Sequence, residues 1–403
     1  MKVAIVQRIL APYRVETFRR LAARPNIDLT VFHGAGIPSG QWHSVENPEG
    51  LRTRHLRAIS RNLTFGDREY YLPLHPGLVP SLEHGRFDVV LTEGATNILD
   101  NIPLALWCRL RRVPLVVWDS GLHGSRPMST ARRIGEPVHS RILRGAAACV
   151  GYGDVSLDYF RSLGISPERM FLARNTLDLA LLQRELEEWA RRPTEIESIR
   201  SSLRLDGRKL ILHVGSLYPN KALDPLLKAQ AHLERDGEAV GLVIIGDGPD
   251  RQRLERLSTT LGCKAVRFLG KRTTDVAVYA MISDIAVIPT RATIAVNVML
   301  AYGLPVVVAG DRGPEQEVIE AGFNGARVIP GDAADTERAL RGWLNGEMVF
   351  ANADEIRAKV LKTLDLERMV DGLESALVYA TRAVAGGSLP VHSTAPEPRN
   401  SID

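Results

Sequence analysis

Residues 210–227 read L-I-L-H-V-G-S-L-Y-P-N-K-A-L-D-P-L-L. The apolar run 210–214 has strand character, breaks at Gly215 into a short polar loop carrying Lys221, and gives way to a helical pattern with Leu223, Leu226 and Leu227 on one side. A glycine lets backbone amides approach an anion, a helix start adds the positive end of its dipole, and a lysine supplies a movable charge. Nucleotide phosphate is the expected guest. The plainer reading of the same text is an ordinary strand-to-helix turn with Lys221 solvated, and the neighbouring sequence weighs between the two.

Downstream the pattern repeats. A strand at 240–245 closes at Gly246-Asp247-Gly248-Pro249, and helix 251–262, strand 266–269, helix 275–282 and strand 285–289 follow. Helix 295–302 stops at Gly303, strand 305–309 comes next, and helical text resumes at 315–321 and 334–344. Upstream, a strand at 2–7, a helix at 13–23 and a strand at 27–32 open another such series. After a polar loop or hairpin region at 34–74 come strand 87–91, helix 101–112 and strand 114–118, which runs into D-S-G-L-H-G at 119–124. Strand 146–152, helix 155–163 and strand 170–173 complete the first half, ending at R-N-T-L-D, 174–178. Alternating strands and helices predict an α/β protein with two Rossmann-like, doubly wound parallel sheets, whose ligands sit beyond the carboxyl ends of the strands. The expected division is a first domain at 1–178, a linker helix at 179–206, a second domain at 207–350, and an amphipathic helix at 351–384, broken near Leu364, that returns to the first domain. The Pro-, Ser- and Gly-rich text at 385–403 is expected to be a disordered tail.

The 403 residues suit two domains, and 45% hydrophobic with 24% charged content describes a globular protein. Cys108, Cys149 and Cys263 lie far apart without CxxC spacing, which suggests a reducing compartment and no zinc site. The first apolar run is interrupted at Arg8, too early for a signal peptide, and no run approaches a membrane span, so a cytoplasmic protein is expected. Net charge is only +4, yet arginines cluster at Arg19/Arg20, Arg109/Arg111/Arg112, Arg132/Arg133 and Arg141/Arg144. Such clusters suit an anionic membrane surface, giving peripheral attachment at its inner face, or a polyphosphate; solvated helix faces are the bland alternative. Without interleaved aromatics they argue against nucleic acid. The loop I-L-A-P-Y-R at 9–14 lacks the glycine fingerprint of a dinucleotide fold, so no nicotinamide or flavin cofactor is expected. Instead it is expected to line an acceptor cleft, with Arg14 a candidate substrate contact. No D-x-D pair or histidine cluster points to a metal.

The ordered series G-S-L-Y-P-N-K at 215–221, L-V-I-I-G-D-G-P at 242–249, V-R-F-L-G at 266–270 and A-Y-G-L-P-V-V at 301–307 resembles the GT-B glycosyltransferases of family 4. L-A-P-Y-R-V-E-T-F at 10–18 and R-N-T-L-D at 174–178 look like first-domain text of that group, so the likeness covers nearly the whole chain except the tail. It implies two domains facing across a cleft, an acceptor held by the first and a nucleotide-diphosphate sugar by the second, and a retaining outcome in polysaccharide or natural-product glycosylation. Lys221 matches the family's diphosphate lysine, Gly215 the glycine before it, and Gly246 and Gly248 a loop passing near the nucleotide. His123 occupies a loop where the family often has a histidine close to the transferred sugar. Ser216 stands where an arginine is usual, and the paired glutamates fall at about Thr290 and Val298, neither of them acidic.

Glycosyl transfer needs a stabilised diphosphate leaving group and an oriented acceptor hydroxyl. Lys221 with the amides of 215–217, and those following Pro289 at a helix start, are the candidates for the first task. Asp119 and His123 are candidates for the second, against helix-cap or loop roles. Glu315 is placed to replace the lost ribose contact, whereas Glu317 reads as a charge favoured by its own helix dipole. Asn175 and Asp178 read as caps of the linker helix. Two other functions fit the same text: a glycosyltransferase-like protein that binds a nucleotide sugar or partner without turnover, and a sugar-nucleotide epimerase, which wants more acids and histidines than the cleft offers.

Overall fold

The computed structural model describes residues 1–35, 44–65, 68–94, 97–121, 130–289, 294–310, 313 and 316–384. His123, Thr290, Glu315 and the expected tail at 385–403 lie outside these residues. In the first half, β1 (Lys2–Ile9), α1 (Pro12–Ala22), β2 (Asp28–Gly34), β3 (Thr53–His55), β4 (Ile59–Phe65), β5 (Arg68–Leu74), α2 (Leu78–Gly85), β6 (Val89–Glu93), α3 (Ile98–Arg111), β7 (Leu115–Asp119), α4 (Thr130–Gly145), β8 (Ala148–Gly151), α5 (Asp154–Ser162) and β9 (Met170–Leu172) follow one another. After α6 (Leu179–Ala190) and α7 (Pro193–Ser202), the second half contains β10 (Lys209–Val214), α8 (Asp224–Arg235), β11 (Val240–Ile245), α9 (Arg251–Thr260), β12 (Val266–Gly270), α10 (Val276–Met281), β13 (Ile285–Ile288), α11 (Ile294–Ala301), β14 (Val306–Ala309), β15 (Gly325–Val328) and α12 (Ala333–Leu344). Two helices, α13 (Ala353–Thr363) and α14 (Leu366–Val384), close the described chain.

The strands form two parallel sheets, ordered β3-β2-β1-β6-β7-β8-β9 and β12-β11-β10-β13-β14-β15, with β4 and β5 a separate antiparallel hairpin. Central strands such as β11 are buried on both faces, which is why they read as unbroken apolar runs. In each sheet the order reverses beside the first strand, between β1 and β6 and between β10 and β13, and a crevice opens at such a reversal. The stretch 210–227 therefore sits at the switch point of the second sheet.

Three expectations need correction. The linker is two helices, because Pro193 can begin α7 but has no amide hydrogen with which to continue α6. Of the 351–384 segment, only the part after the break near Leu364 returns to the first domain. Ile356 and Val360 of α13 stay in the second domain's core, whereas Met369, Val370, Leu373 and Leu377 of α14 fill the first domain's core beside Val3 and Val116. At the break, Leu364 presents its carbonyl to the Thr176 hydroxyl at 3.0 Å. The helix expected at 315–321 is a single 3-10 turn, Gln316–Val318.

Candidate functional site

At the second switch point two loops lie backbone to backbone. Gly246 and Gly248 have φ of 151° and 159°, and a Cβ on either would collide with the carbonyl oxygen of Gly215 or Leu217. The glycines thus serve the packing of one loop on the other. That packing has a consequence for the expected phosphate amides: Gly215 N donates to Ile245 O at 3.0 Å and Leu217 N to Asp247 O at 2.9 Å. Both donors are spent on the neighbouring strand end, so the expected three-amide cradle is not there. Ser216 is half-buried between them and has no hydrogen-bond partner among the described residues.

Lys221 ends a 3-10 turn, Pro219–Lys221, and Ala222 then turns through a left-handed φ of 46° before α8 begins at Asp224. The helix dipole expected to aid Lys221 already has a partner. Asp224 places a carboxylate in the first turn of α8, where it binds Arg253 at 2.5 and 2.7 Å, and that hydrogen bonding holds its pKa below the ordinary value. Beneath the loop, buried His213 reaches from β10 to β13 and donates Nδ1–H to the Val287 carbonyl at 2.9 Å. Burial, with nearby Lys221 adding repulsion, pushes its pKa down to about 4, so the ring is neutral. Its Nε2 has no hydrogen-bond partner among the described residues, and a Cβ on Gly215 would lie 3.3 Å from it.

At the first switch point Arg14 is not a lining residue. It is 2% exposed, with its guanidinium 4.1 Å above the Trp118 ring and 5.3 Å from that of Tyr152. Burial alone lowers an arginine's pKa; here Tyr152, Tyr13 and Glu93 outweigh it, and the value is raised. Asp119 ends β7 buried against Gly94, where any Cβ would strike its carboxylate, and its Oδ1 accepts from Gly121 N at 2.5 Å. His139 Nε2 stands 3.1 Å from Oδ2, close enough for an ion pair but without hydrogen-bond alignment. Asp119 is thus enclosed, which suits a group that fixes the backbone at Gly121 better than one that meets an acceptor.

The two sheets' carboxyl ends are joined directly. Glu317, beyond β14, accepts from Asp154 N at 2.8 Å and Val155 N at 2.5 Å, so it caps α5 of the first domain instead of its own turn. Arg174 bridges Glu317 and Asp154 at 2.9 and 2.6 Å. Asn297 on α11 donates to the Asn175 carbonyl at 2.8 Å, while Asp178 caps α6 through Ala180 N at 3.2 Å. Sequence reading passed over His213 and Asn297, although each is a polar residue inside an apolar run, I-L-H-V and A-V-N-V-M-L. Among the described residues no group of three or more His, Cys, Asp or Glu is arranged to hold a metal ion.

Comparison with known proteins agrees with this architecture. The family model described as "Glycosyl transferase 4-like domain" matches residues 10–176 and "Glycosyl transferases group 1" matches 195–360. The chain is 28% identical over 239 residues to an alpha-D-kanosaminyltransferase of Streptomyces kanamyceticus, covering 56% of this chain and 60% of that protein. It is 33% identical over 135 residues to the lipopolysaccharide core biosynthesis glycosyltransferase LpsE of Rhizobium meliloti, 32% of this chain and 38% of that one. The matches thus span at most 60% of the length of these two relatives. Anabaena HepE, solved in complex with UDP, superposes with a TM-score of 0.71 at 18% identity, over 94% of this chain and 100% of that one.

Proposed function

The chain belongs to the GT-B glycosyltransferases with a family 4-like first domain, and from that premise we propose that it transfers a sugar from a nucleotide-diphosphate donor to a hydroxyl acceptor. The observation that carries this reading is the position of the Gly215–Lys221 loop at the switch point of the second sheet, facing the first domain through the Glu317 contact. Lys221 is the leaving-group cation, in a reaction that uses no metal and no cofactor. UDP is the first donor nucleotide to try, since HepE was solved with UDP and with UDP-glucose. Retention follows the family resemblance, and the relatives' names favour natural-product or cell-envelope glycans as the setting. Ser216 adds a backbone donor that no described residue takes up, and Gly246 and Gly248 hold the loop in shape. Asp119 acts through its loop as a positioning residue.

Binding without turnover is the second reading, favoured by Val298, which puts an aliphatic side chain where the family has a glutamate. One experiment separates the two: incubation with UDP-glucose and other nucleotide sugars, with free UDP and hydrolysed or transferred sugar both measured. Melting-temperature rise with UDP but no product with any acceptor favours the binding protein; neither stabilisation nor product removes both.

Peripheral membrane contact is proposed on a separate observation. Ile102, Leu106 and Leu110 are 47%, 59% and 73% exposed at four-residue spacing on α3, so they form one outward stripe. Exposed Arg109, Arg112 and Arg141 flank it. An apolar stripe beside basic groups that are unpaired among the described residues suits an anionic lipid surface. Among the described residues no helix is long and apolar enough to cross a membrane.

A further inference from the structure

Resting on the transferase reading, we propose that His75 and Asn97, with Asp100 behind them, form the acceptor cradle, and that the acceptor is a neutral polyol bound through its hydroxyls. His75 lies just before α2 and Asp100 in the first turn of α3, which follows β6. The His75 backbone N–H donates to Asp100 Oδ1 at 2.8 Å and its ring Nδ1 to Oδ2 at 2.7 Å, with both side chains buried. A carboxylate oxygen accepts, so Asp100 holds a hydrogen on Nδ1, fixes the ring's orientation and leaves Nε2 as the ring nitrogen it does not engage. That nitrogen abuts Gly34 at the end of β2, where a Cβ would collide with it and would lie 2.8 Å from the Arg8 carbonyl near the end of β1. It has no hydrogen-bond partner among the described residues. The dyad therefore holds an oriented ring nitrogen beside the carboxyl ends of β1 and β2 in the first sheet.

Asn97 supplies the independent observation. It is 3% exposed, and neither Oδ1 nor Nδ2 has a hydrogen-bond partner among the described residues. It is the residue immediately before α3, three positions ahead of Asp100. Asn101 shows what a structural asparagine does here: its Oδ1 accepts from Thr92 Oγ1 at 2.7 Å, and its Nδ2 donates to the Glu93 and Gly94 carbonyls at 2.8 and 2.9 Å. Leaving a buried amide unpaired is unfavourable, and such groups concentrate where a ligand completes them. His75 offers one ring nitrogen, and Asn97 offers one acceptor and two donors. The Asp100 charge is spent on His75, so the cradle presents no unpaired charge to its ligand. Adjacent hydroxyls of a sugar or cyclitol, each able to donate and accept, match that set, with one hydroxyl hydrogen-bonded to Nε2 and a neighbouring hydroxyl exchanging hydrogen bonds with the amide.

Saturation-transfer NMR on the full chain tests this, with glucose, N-acetylglucosamine and myo-inositol as probes in the presence of UDP. Wild type is expected to bind at least one probe. His75→Ala and Asn97→Ala are each expected to weaken it about tenfold or more while stabilisation by UDP stays unchanged, and His75→Gln, which keeps a polar group at that reach, is expected to recover part of the loss. Asn97→Ala removes an amide that has no partner in the free protein, so its melting temperature should equal or exceed wild type; a purely structural residue would not combine lost binding with retained stability. If His75→Ala fails to fold, Asn97→Ala decides. UDP stabilisation with no probe bound overturns the cradle and leaves the donor reading standing, as does probe binding that Asn97→Ala leaves intact. Absence of UDP stabilisation in wild type tells against the donor reading instead.

Discussion

His213 shows how far one side chain can be followed. Burial holds its folded-state value near 4 against an ordinary 6.5, so below pH 6.5 the unfolded chain takes up a proton that the folded chain refuses. Stability is therefore complete above that pH and declines as pH falls toward 4, by about 3 kcal/mol at most. Urea unfolding from pH 7 to 4.5 should show this slope, and His213→Gln should flatten it; equal slopes in the two proteins would rule the assignment out. The residue was legible as an oddity, a histidine within an apolar strand, but its bond to Val287 lies 74 positions away and depends on strand order. Arg14 went the other way. A cation in a loop reads as surface, and only the fold brings Trp118 and Tyr152 around it.

Among the elements, strands were the most legible, because a parallel strand covered on both faces must be apolar throughout. Helix ends and destinations were less so: the 3-10 turn at 316–318 and the packing of α13 and α14 into different cores depend on contacts distant in sequence, not on local propensity. The loop pair at 215–217 and 246–248 gives a prediction at this scale. Gly246→Ala places a methyl into the Gly215 carbonyl at a positive φ, and is expected to cost about 3 kcal/mol and to weaken nucleotide binding together with stability. Circular dichroism melts with and without UDP measure both. For α3, Leu106→Glu with Leu110→Glu should abolish cosedimentation with phosphatidylglycerol vesicles while wild type pellets with them and not with phosphatidylcholine; unchanged pelleting of the variant would place any membrane contact elsewhere.

At the scale of the molecule, two sheets were legible from the repeating strand–loop–helix text, but their contact was not, since Glu317 and Asp154 are 163 positions apart. Glu317 links the loop after β14 to the start of α5, so Glu317→Ala is expected to loosen the two domains, with a larger radius of gyration by small-angle scattering and nucleotide affinity reduced several-fold. An unchanged radius would mean that α13, α14 and the Asn297 contact suffice. The central claim is that the loop ending in Lys221 holds a donor diphosphate in a chain that lacks the usual arginine and glutamates. It is tested most directly by the melting temperature of wild type and Lys221→Ala titrated with UDP, GDP, ADP and dTDP. A rise with one nucleotide in wild type that is lost in the variant is the expected result; a rise that the variant keeps in full would contradict it.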